Sequence, residues 1–165
     1  MTQNQFVGTW RLVSFESKRT DGQVLYPYGK DAVGYLMYLP DGYMSVVIMS
    51  VKRPNLAAEG IFGASAEEKA TAAQTYFSYC GRYEIQANKV IHHVEVSLFP
   101  NWVGVNQERF FEFTGDRLSL SKPPILVNGQ QQTAHLIWER VSYQVQENLS
   151  GQTHDQTLFL RAIRA

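Results

Sequence analysis

The chain lacks the features that mark exported or membrane-inserted proteins. Its 165 residues include one cysteine, Cys80, so no intramolecular disulfide can form and a buried core must supply the stability, as suits a reducing compartment. The first residues are polar and carry no basic segment followed by an apolar one, and no run of about 18 apolar residues occurs. We therefore expect a soluble, cytoplasmic protein without a membrane partner.

Net charge of one sign is also missing. Fifteen Lys and Arg residues balance fifteen Asp and Glu residues, so no overall field would attract nucleic acid. Phosphate-binding glycine loops, dinucleotide fingerprints and nucleophile-elbow motifs are absent from the sequence. We expect no nucleic-acid partner and no cofactor.

Short segments rich in Tyr, Phe, Val, Ile and Trp, separated by Gly, Asp, Asn and Pro, dominate the chain as far as residue 142. Asp21-Gly22 and Asp41-Gly42 indicate hairpin turns, because glycine tolerates positive φ. This rhythm predicts a mainly β domain over residues 1–142, an antiparallel barrel of about eight to ten strands. The candidate strands are residues 10–20, 23–26, 33–39, 43–51, 81–86, 90–99, 104–113, 118–121 and 133–141.

One segment interrupts the β rhythm. Ser65-Ala66-Glu67-Glu68 has the pattern of a capping box, and Ala66, Ala70, Ala73 and Phe77 then share one helical face. We predict one inserted helix of about four turns, which either plugs one end of the barrel or covers a ligand as a lid. Cys80, placed at the end of this helix, is expected to be a buried structural thiol.

Beyond residue 142 the composition changes. Gln, Asn, Ser and Thr become frequent, which is typical of a linker, and the last residues are apolar and mildly basic. We predict a polar linker and a short apolar tail over residues 143–165. The tail is either disordered or docked on this or a neighbouring subunit, in which case it would support a homodimer.

Several motifs along the chain carry a family resemblance. In chain order they are Gly8-Thr9-Trp10, Tyr35-Leu36-Met37-Tyr38 before Pro40-Asp41-Gly42, His92-His93-Val94-Glu95, Pro100-Asn101-Trp102, Gln107-x-Arg109, and Leu136-Ile137-Trp138-Glu139-Arg140. Over residues 6–141 the chain resembles the lipocalin-like domain family of small bacterial and some fungal proteins. The resemblance implies a calycin-type barrel, and it carries fold more securely than function.

The same resemblance implies a structural role for two residues. In lipocalin barrels the tryptophan of the G-x-W motif lies at the closed end beneath an arginine of the last strand, which here implies Trp10 and Arg140. A guanidinium over an indole face gains cation–π energy while it covers the barrel floor. We therefore expect these two side chains to be in contact.

Strand alternation predicts which side chains enter the barrel. In residues 81–86 the charged side chains must face water, so Tyr83 and Ile85 point inward. In residues 104–113 the acidic residues occupy one face, and the inward face holds Val105, Gln107, Arg109, Phe111 and Phe113. An inward arginine is unusual, because a buried cation without a partner costs several kcal/mol.

The strand of residues 90–99 can take either of two registers. A two-residue turn at Ala87-Asn88 would pair Tyr83 with His92, and a four-residue loop over residues 100–103 would place Leu98 opposite Val105. Both loops put His92 inside the barrel, which is the register we favour.

A single bulge would reverse this choice and turn His93 and Glu95 inward, where Glu95 would neutralise Arg109. In either register the adjacent His92 and His93 point to opposite faces and cannot chelate one ion together. No third ligand has a fixed spacing from His93 and Glu95, so we predict no metal site.

These side chains together describe an apolar, aromatic interior with a few polar groups, which is the composition of a small-molecule site. We predict a binding protein for a small apolar or amphipathic ligand whose acidic or carbonyl oxygen meets Arg109. The candidate ligand-binding residues are His92, Arg109, Gln107, Tyr83, Phe111 and Tyr38.

Two other functions remain open from the sequence. The same cavity would suit a cofactor-independent isomerase or cyclase, with His92 as general acid or base, Arg109 holding an oxyanion and Tyr83 as a second proton donor. Alternatively, the interior is filled by side chains and the protein is a structural or interaction module.

Overall fold

The structure is a computed structural model, and it describes residues 5–127 and 129–142. These residues form one α helix, α1 (Ala66–Gln74), and 3-10 turns at Ile61–Gly63 and Pro100–Trp102. The linker and tail predicted for residues 143–165 lie outside the described residues. The strands are β1 (Gly8–Arg19), β2 (Val24–Leu25), β3 (Val33–Tyr38), β4 (Tyr43–Met49), β5 (Tyr76–Gln86), β6 (Lys89–Ser97), β7 (Asn106–Thr114), β8 (Arg117–Ser121), β9 (Ile125–Val127) and β10 (Gln130–Arg140).

Eight of the strands close into an antiparallel barrel in the order β1-β3-β4-β5-β6-β7-β8-β10, and β10 pairs back with β1. The short β2 pairs with the end of β1, and β9 pairs with the start of β10. Closure leaves no free sheet edge within this ring of strands. The prediction of a mainly β, antiparallel barrel with one helix is confirmed.

A bulge in β1 changes which residues of this strand face the barrel interior. Leu12 pairs with Trp138 of β10, but the next partner of Ile137 is Ser14, so Val13 is the extra residue. Before the bulge the even-numbered Leu12 is buried, whereas after it the odd-numbered Phe15 turns toward the core.

The closed end of the barrel, which we call the floor, is a packed aromatic cluster. Trp10 has no exposed surface, and its Nε1 donates a hydrogen bond to the Phe6 carbonyl oxygen at 2.8 Å. The guanidinium carbon of Arg140 lies 4.1 Å from the Trp10 ring centroid, and Arg140 Nη1 donates to the Val7 carbonyl oxygen at 2.8 Å. Trp10 and Arg140 are thus in the contact that the resemblance implies.

The glycine that opens the G-x-W motif is required by this arrangement. Gly8 has a φ of 138°, which side-chain-bearing residues rarely adopt, and a Cβ there would lie 2.8 Å from Arg140 Nη1. The motif therefore combines a backbone constraint with the packing of the arginine.

The helix is shorter than predicted. Its capping box is present, because Ser65 Oγ accepts from the Glu68 amide at 3.2 Å and Glu68 Oε2 accepts from the Ser65 amide at 2.8 Å. However, α1 ends at Gln74, and Phe77 pairs with Ile48 as part of β5. Pairing with β4 outweighs the helical spacing of Phe77, so β5 begins at Tyr76 rather than at residue 81.

Two further features follow from the early start of β5. Cys80 lies inside this strand and is half-buried, so the expectation of a buried thiol at a helix end is wrong. Helix α1 buries none of its own side chains, although a plug in the barrel end would bury one face of the helix. Neither α1 nor any other helix among the described residues has the length and apolar character needed to cross a membrane.

Candidate ligand-binding site

A cavity of about 180 Å³ lies inside the barrel, and every one of the eight barrel strands contributes to its wall. An apolar protein cavity of about 150 Å³ already accepts benzene, so this one has room for a small substituted aromatic ring. The interior is not filled by side chains, as the interaction-module alternative required. The lining residues are Phe15, Leu36, Val46, Phe77, Tyr79, His92, Trp102, Arg109, Leu120, Lys122, Ile125, Ala134, Leu136 and Trp138.

The polar side chains of this wall are biased toward hydrogen-bond donors. Those that can only donate are Trp102, Arg109, Lys122 and Trp138, and just two others, Tyr79 and His92, can also accept. The described lining residues include no carboxylate, no side-chain amide and no serine or threonine. A polar ligand in this cavity therefore meets groups that prefer an oxygen acceptor.

Arg109 is the buried cation of the cavity. It points inward from β7 and is 8% exposed. Its Nη1 donates to the Glu108 carbonyl oxygen at 2.8 Å, and both terminal nitrogens contact Gln107 Oε1, at 3.4 and 3.3 Å. Among the described residues no acidic side chain lies within 4.0 Å of it. Gln107 thus orients the guanidinium, and its charge has no counter-ion from this part of the chain.

His92 lies between two tyrosines in the same wall. It is 1% exposed, with Nε2 at 2.7 Å from the Tyr38 hydroxyl oxygen and Nδ1 at 2.7 Å from the Tyr79 hydroxyl oxygen. Burial, together with the nearby Arg109 charge, lowers the pKa of His92 well below its usual value. Burial raises the pKa of both Tyr38 and Tyr79. The three groups therefore form a neutral hydrogen-bonded chain at neutral pH, and both ring nitrogens of His92 are occupied.

Lys122 is a second cation at this cavity that the sequence reasoning missed. It follows β8, is half-buried, and its Nζ lies 5.7 Å from the Trp102 ring centroid. Burial, followed by the Arg109 charge, lowers the pKa of Lys122. The signal was available, because Leu118 and Leu120 point inward and alternation continues to residue 122.

Of the six residues predicted to bind ligand, the structure places two, His92 and Arg109, in the cavity wall. Tyr38 and Gln107 lie behind them and hold them in place through the contacts described above. Phe111 packs on Phe6, with ring centroids 4.8 Å apart, and so belongs to the floor.

Tyr83 does not occupy the position expected of a second proton donor. Its hydroxyl donates to the Leu39 carbonyl oxygen at 3.0 Å, and its ring packs on Tyr38 with centroids 4.8 Å apart. The tyrosine that lines the cavity beside His92 is Tyr79. Sequence reasoning missed Tyr79 because it assigned that residue to the inserted helix.

The register of β6 decides which histidine is inside. The two-residue turn is present and pairs Ile85 with Val90 and Tyr83 with His92. On the outer face His93 Nδ1 lies 2.8 Å from Asn106 Oδ1, so the register that would bring His93 inward is wrong. Glu95 likewise lies outside, 4.0 Å from Arg82 Nε.

The loop after β6 differs from the predicted four-residue connection. The β6–β7 ladder places His93 opposite Asn106, so Leu98 and Val105 do not face each other. The chain instead makes the Pro100–Trp102 turn, in which Trp102 packs on Phe77 and Tyr79 with centroids 5.3 and 5.7 Å away. The loop thereby supplies an aromatic wall to the cavity.

A second, more open cavity of about 510 Å³ lies beside α1. It shares Phe15, Phe77 and Trp102 with the interior cavity. Ala73 and Gln74 of α1 border it. These three shared aromatic residues form the boundary between the two cavities.

Residues 5–127 and 129–142 bring together no group of three or more His, Cys, Asp or Glu side chains that could hold a metal ion. The cavity chemistry comes instead from Arg109, Lys122 and the Tyr38–His92–Tyr79 chain.

Comparison with known proteins agrees with the barrel. A carrier protein for 4'-hydroxy-3'-methoxypropiophenone, ppsC from Aspergillus oryzae, is 33% identical to this chain over 107 residues, which are 59% of this chain and 96% of the carrier. A model of the lipocalin-like domain family matches residues 7–141. Both similarities support small-molecule binding within a barrel. The chain belongs to the lipocalin-like domain family.

Proposed function

We propose that the protein binds and carries a small aromatic molecule whose carbonyl or ionised oxygen is held by Arg109 in the interior cavity. The observation that carries this proposal is the state of Arg109, buried and oriented by Gln107 with no acidic group within 4.0 Å among the described residues. A buried charge without a partner is unfavourable, and an oxygen-bearing ligand would offset that cost through charge-assisted hydrogen bonds.

The size and lining of the cavity support an aromatic ligand. Its volume of about 180 Å³ suits one substituted ring. Phe15, Phe77 and Trp102 offer ring faces and edges for packing. The relative from Aspergillus oryzae is named as the carrier of an aryl ketone, a compound with one ring, a carbonyl oxygen and a phenolic oxygen. We extend this class of ligand to the present chain.

Titration with 4'-hydroxy-3'-methoxypropiophenone tests the proposal, with binding followed by calorimetry and by tryptophan fluorescence. Trp102 and Trp138 line the cavity, so a ligand inside should quench their emission. Arg109→Gln should weaken binding by about tenfold to a hundredfold, because it removes a charge-assisted hydrogen bond in a buried site. Arg82→Gln is the matched control, since it removes the same charge from the exposed outer face.

Equal affinity of native protein and Arg109→Gln would contradict the assigned role of the arginine. A parallel thermal-shift and native mass spectrometry screen with fatty acids, aromatic polyketide-like compounds and isoprenoids defines the ligand class. We expect the aromatic compounds to stabilise the protein, since ligands that bind the folded state raise its melting temperature. If no compound of the three classes shifted the melting temperature or formed a complex, small-molecule carriage would be refuted.

A further inference from the structure

The hydrogen-bond chain Tyr38–His92–Tyr79 has a direction, and the surroundings of Tyr38 determine it. A neutral imidazole has one N–H donor and one acceptor nitrogen. His92 is therefore either a donor to Tyr38 and an acceptor from Tyr79, or a donor to Tyr79 and an acceptor from Tyr38.

The first arrangement leaves a buried proton without an acceptor. If Nε2–H of His92 donated to Tyr38, the Tyr38 hydroxyl proton would need another partner. Tyr38 is 1% exposed, it is not part of the cavity wall, and among the described residues its hydroxyl makes no hydrogen bond other than the one to His92. A buried donor in that state is unfavourable.

The second arrangement satisfies every group except one. Tyr38 donates to Nε2, and Nδ1–H donates to the Tyr79 oxygen. The remaining hydroxyl proton belongs to Tyr79, which is part of the cavity wall. The Tyr79 hydroxyl is therefore available to donate a hydrogen bond to a group inside the cavity.

We propose that Tyr79 donates its hydroxyl proton to the ligand oxygen, that His92 is the positioning residue that fixes this direction, and that the cavity thereby selects ketone carbonyls and ionised oxygens over alcohols. This inference rests on the proposed function, and it specifies which oxygen groups of the ligand the site recognises.

Like Tyr79, Arg109 and the other polar side chains of the wall favour a ligand oxygen that accepts hydrogen bonds. The positive charge of Arg109 opposes the rise in the pKa of Tyr79 that burial causes. A ligand oxygen between these two residues would accept from both, as a carbonyl or an anion can. An alcohol oxygen brings its own proton, and the side chains of the described wall that can accept it, Tyr79 and His92, already take part in the hydrogen bonds described above.

The direction of the hydrogen bonds from Tyr38 through His92 to Tyr79 can be measured without any ligand. The nitrogen-15 chemical shifts of His92 in the native protein distinguish the two neutral tautomers, and we expect the proton on Nδ1. A proton on Nε2 would overturn the proposal, because Tyr79 would then donate to His92 rather than into the cavity.

Selectivity is measured with a matched pair of compounds, 4'-hydroxy-3'-methoxypropiophenone and the alcohol obtained by reducing its ketone. The ketone should bind the native protein about tenfold more tightly, since a buried donor without an acceptor is penalised. In Tyr79→Phe the ratio should fall to within about threefold, because the ketone loses the hydroxyl donor that favoured it. Tyr83→Phe is the control, as its hydroxyl bonds to Leu39 outside the cavity wall, and it should keep the native ratio.

An unchanged ratio in Tyr79→Phe would refute the selecting role of this residue, and if both affinities also fell by the same factor, its role would be packing only. Failure of both compounds to bind the native protein would overturn the proposed function and the ligand preference with it. The tautomer of His92 would still decide the direction of the hydrogen bonds, so the two failures are distinguishable.

Discussion

The floor and the cavity of the barrel each hold a fully buried tryptophan and an arginine, namely Trp10 and Arg140 at the floor and Trp138 and Arg109 at the cavity. The polar groups of the two pairs differ in how they are satisfied. At the floor, Trp10 Nε1 donates to a main-chain carbonyl and Arg140 donates to another while it covers the indole. At the cavity, Trp138 Nε1 is buried without a hydrogen-bond partner among the described residues, and Arg109 has no acidic neighbour there.

This difference separates stability from binding within one interior. The floor completes its hydrogen bonds within the chain, so its side chains contribute to the free energy of folding. The cavity contains hydrogen-bond donors that lack an acceptor within the chain. These donors lower the stability of the ligand-free protein, and they strengthen binding when a ligand oxygen accepts their hydrogen bonds. Substitutions at the two ends should therefore affect different measurements.

The largest effect is expected at the floor. Trp10→Ala removes a fully buried indole and the donor to Phe6, and it should lower the free energy of unfolding by about 3–5 kcal/mol. Urea unfolding followed by circular dichroism measures the change. Phe62→Ala, at a side chain that is 95% exposed, should alter stability by less than about 0.5 kcal/mol. Similar losses in both variants would contradict the floor as a centre of stability.

Replacing each arginine by methionine sharpens the comparison. Arg140→Met loses the contact with Trp10 and the bond to Val7 and should destabilise the ligand-free protein by about 2 kcal/mol. Arg109→Met should leave stability unchanged or raise it by about 1 kcal/mol, because it removes a buried cation without a counter-ion. Aryl-ketone affinity should fall about tenfold to a hundredfold in the second variant alone. Parallel melting and binding curves distinguish the two, and equal destabilisation would refute the division.

Acid should weaken the cavity wall through His92. Its pKa in the folded state lies well below the value of 6.5 that it has when unfolded, so below about pH 6.5 the unfolded chain binds the additional proton. Stability from this group is complete above that pH and is lost as the pH falls, with a slope of up to about 1.4 kcal/mol per pH unit.

Urea unfolding between neutral and mildly acidic pH compares the native protein with His92→Gln, in which the slope should be smaller. His135, whose pKa is lowered by partial burial, contributes in the same direction, and His135→Gln is therefore the control. An identical pH slope in native protein and His92→Gln would show that the imidazole is not buried in neutral form.

The smallest effect should come from Trp138→Phe. The indole N–H of Trp138 has no partner to lose among the described residues, so only packing changes, and the cost should stay below about 1 kcal/mol. Trp10→Phe, which leaves the Phe6 carbonyl without its donor, should cost about 2 kcal/mol. Equal losses in the two tryptophan variants would remove the distinction between floor and cavity.

Local sequence signals predicted the parts of the site that depend on one turn or on alternation along one strand. Turn residues Ala87-Asn88 and alternation along the strand placed His92 inside, opposite Tyr83. Alternation in β7 likewise predicted Gln107 and Arg109 on the inner face, where both are buried. These predictions needed only the period of a strand and the length of a turn.

The missed residues lie where local signals compete or end. Tyr79 was assigned to a helix because alanine spacing continued toward Phe77, and only pairing with β4 shows that β5 begins at Tyr76. Trp102 belongs to a loop whose length depends on its packing against Phe77 and Tyr79. The cytoplasmic location and a homodimer stay predictions.

The sequence by itself determined the barrel and the presence of an inward arginine, because alternation and turn glycines act over a few residues. The Trp10–Arg140 floor was implied by the family resemblance. Only the tertiary structure decided that Tyr38 and Tyr79 bracket His92 and that Arg109 and Lys122 face one cavity. These contacts join strands distant in the chain, and their geometry depends on how the closed barrel brings side chains from β3, β5, β6 and β7 to one point.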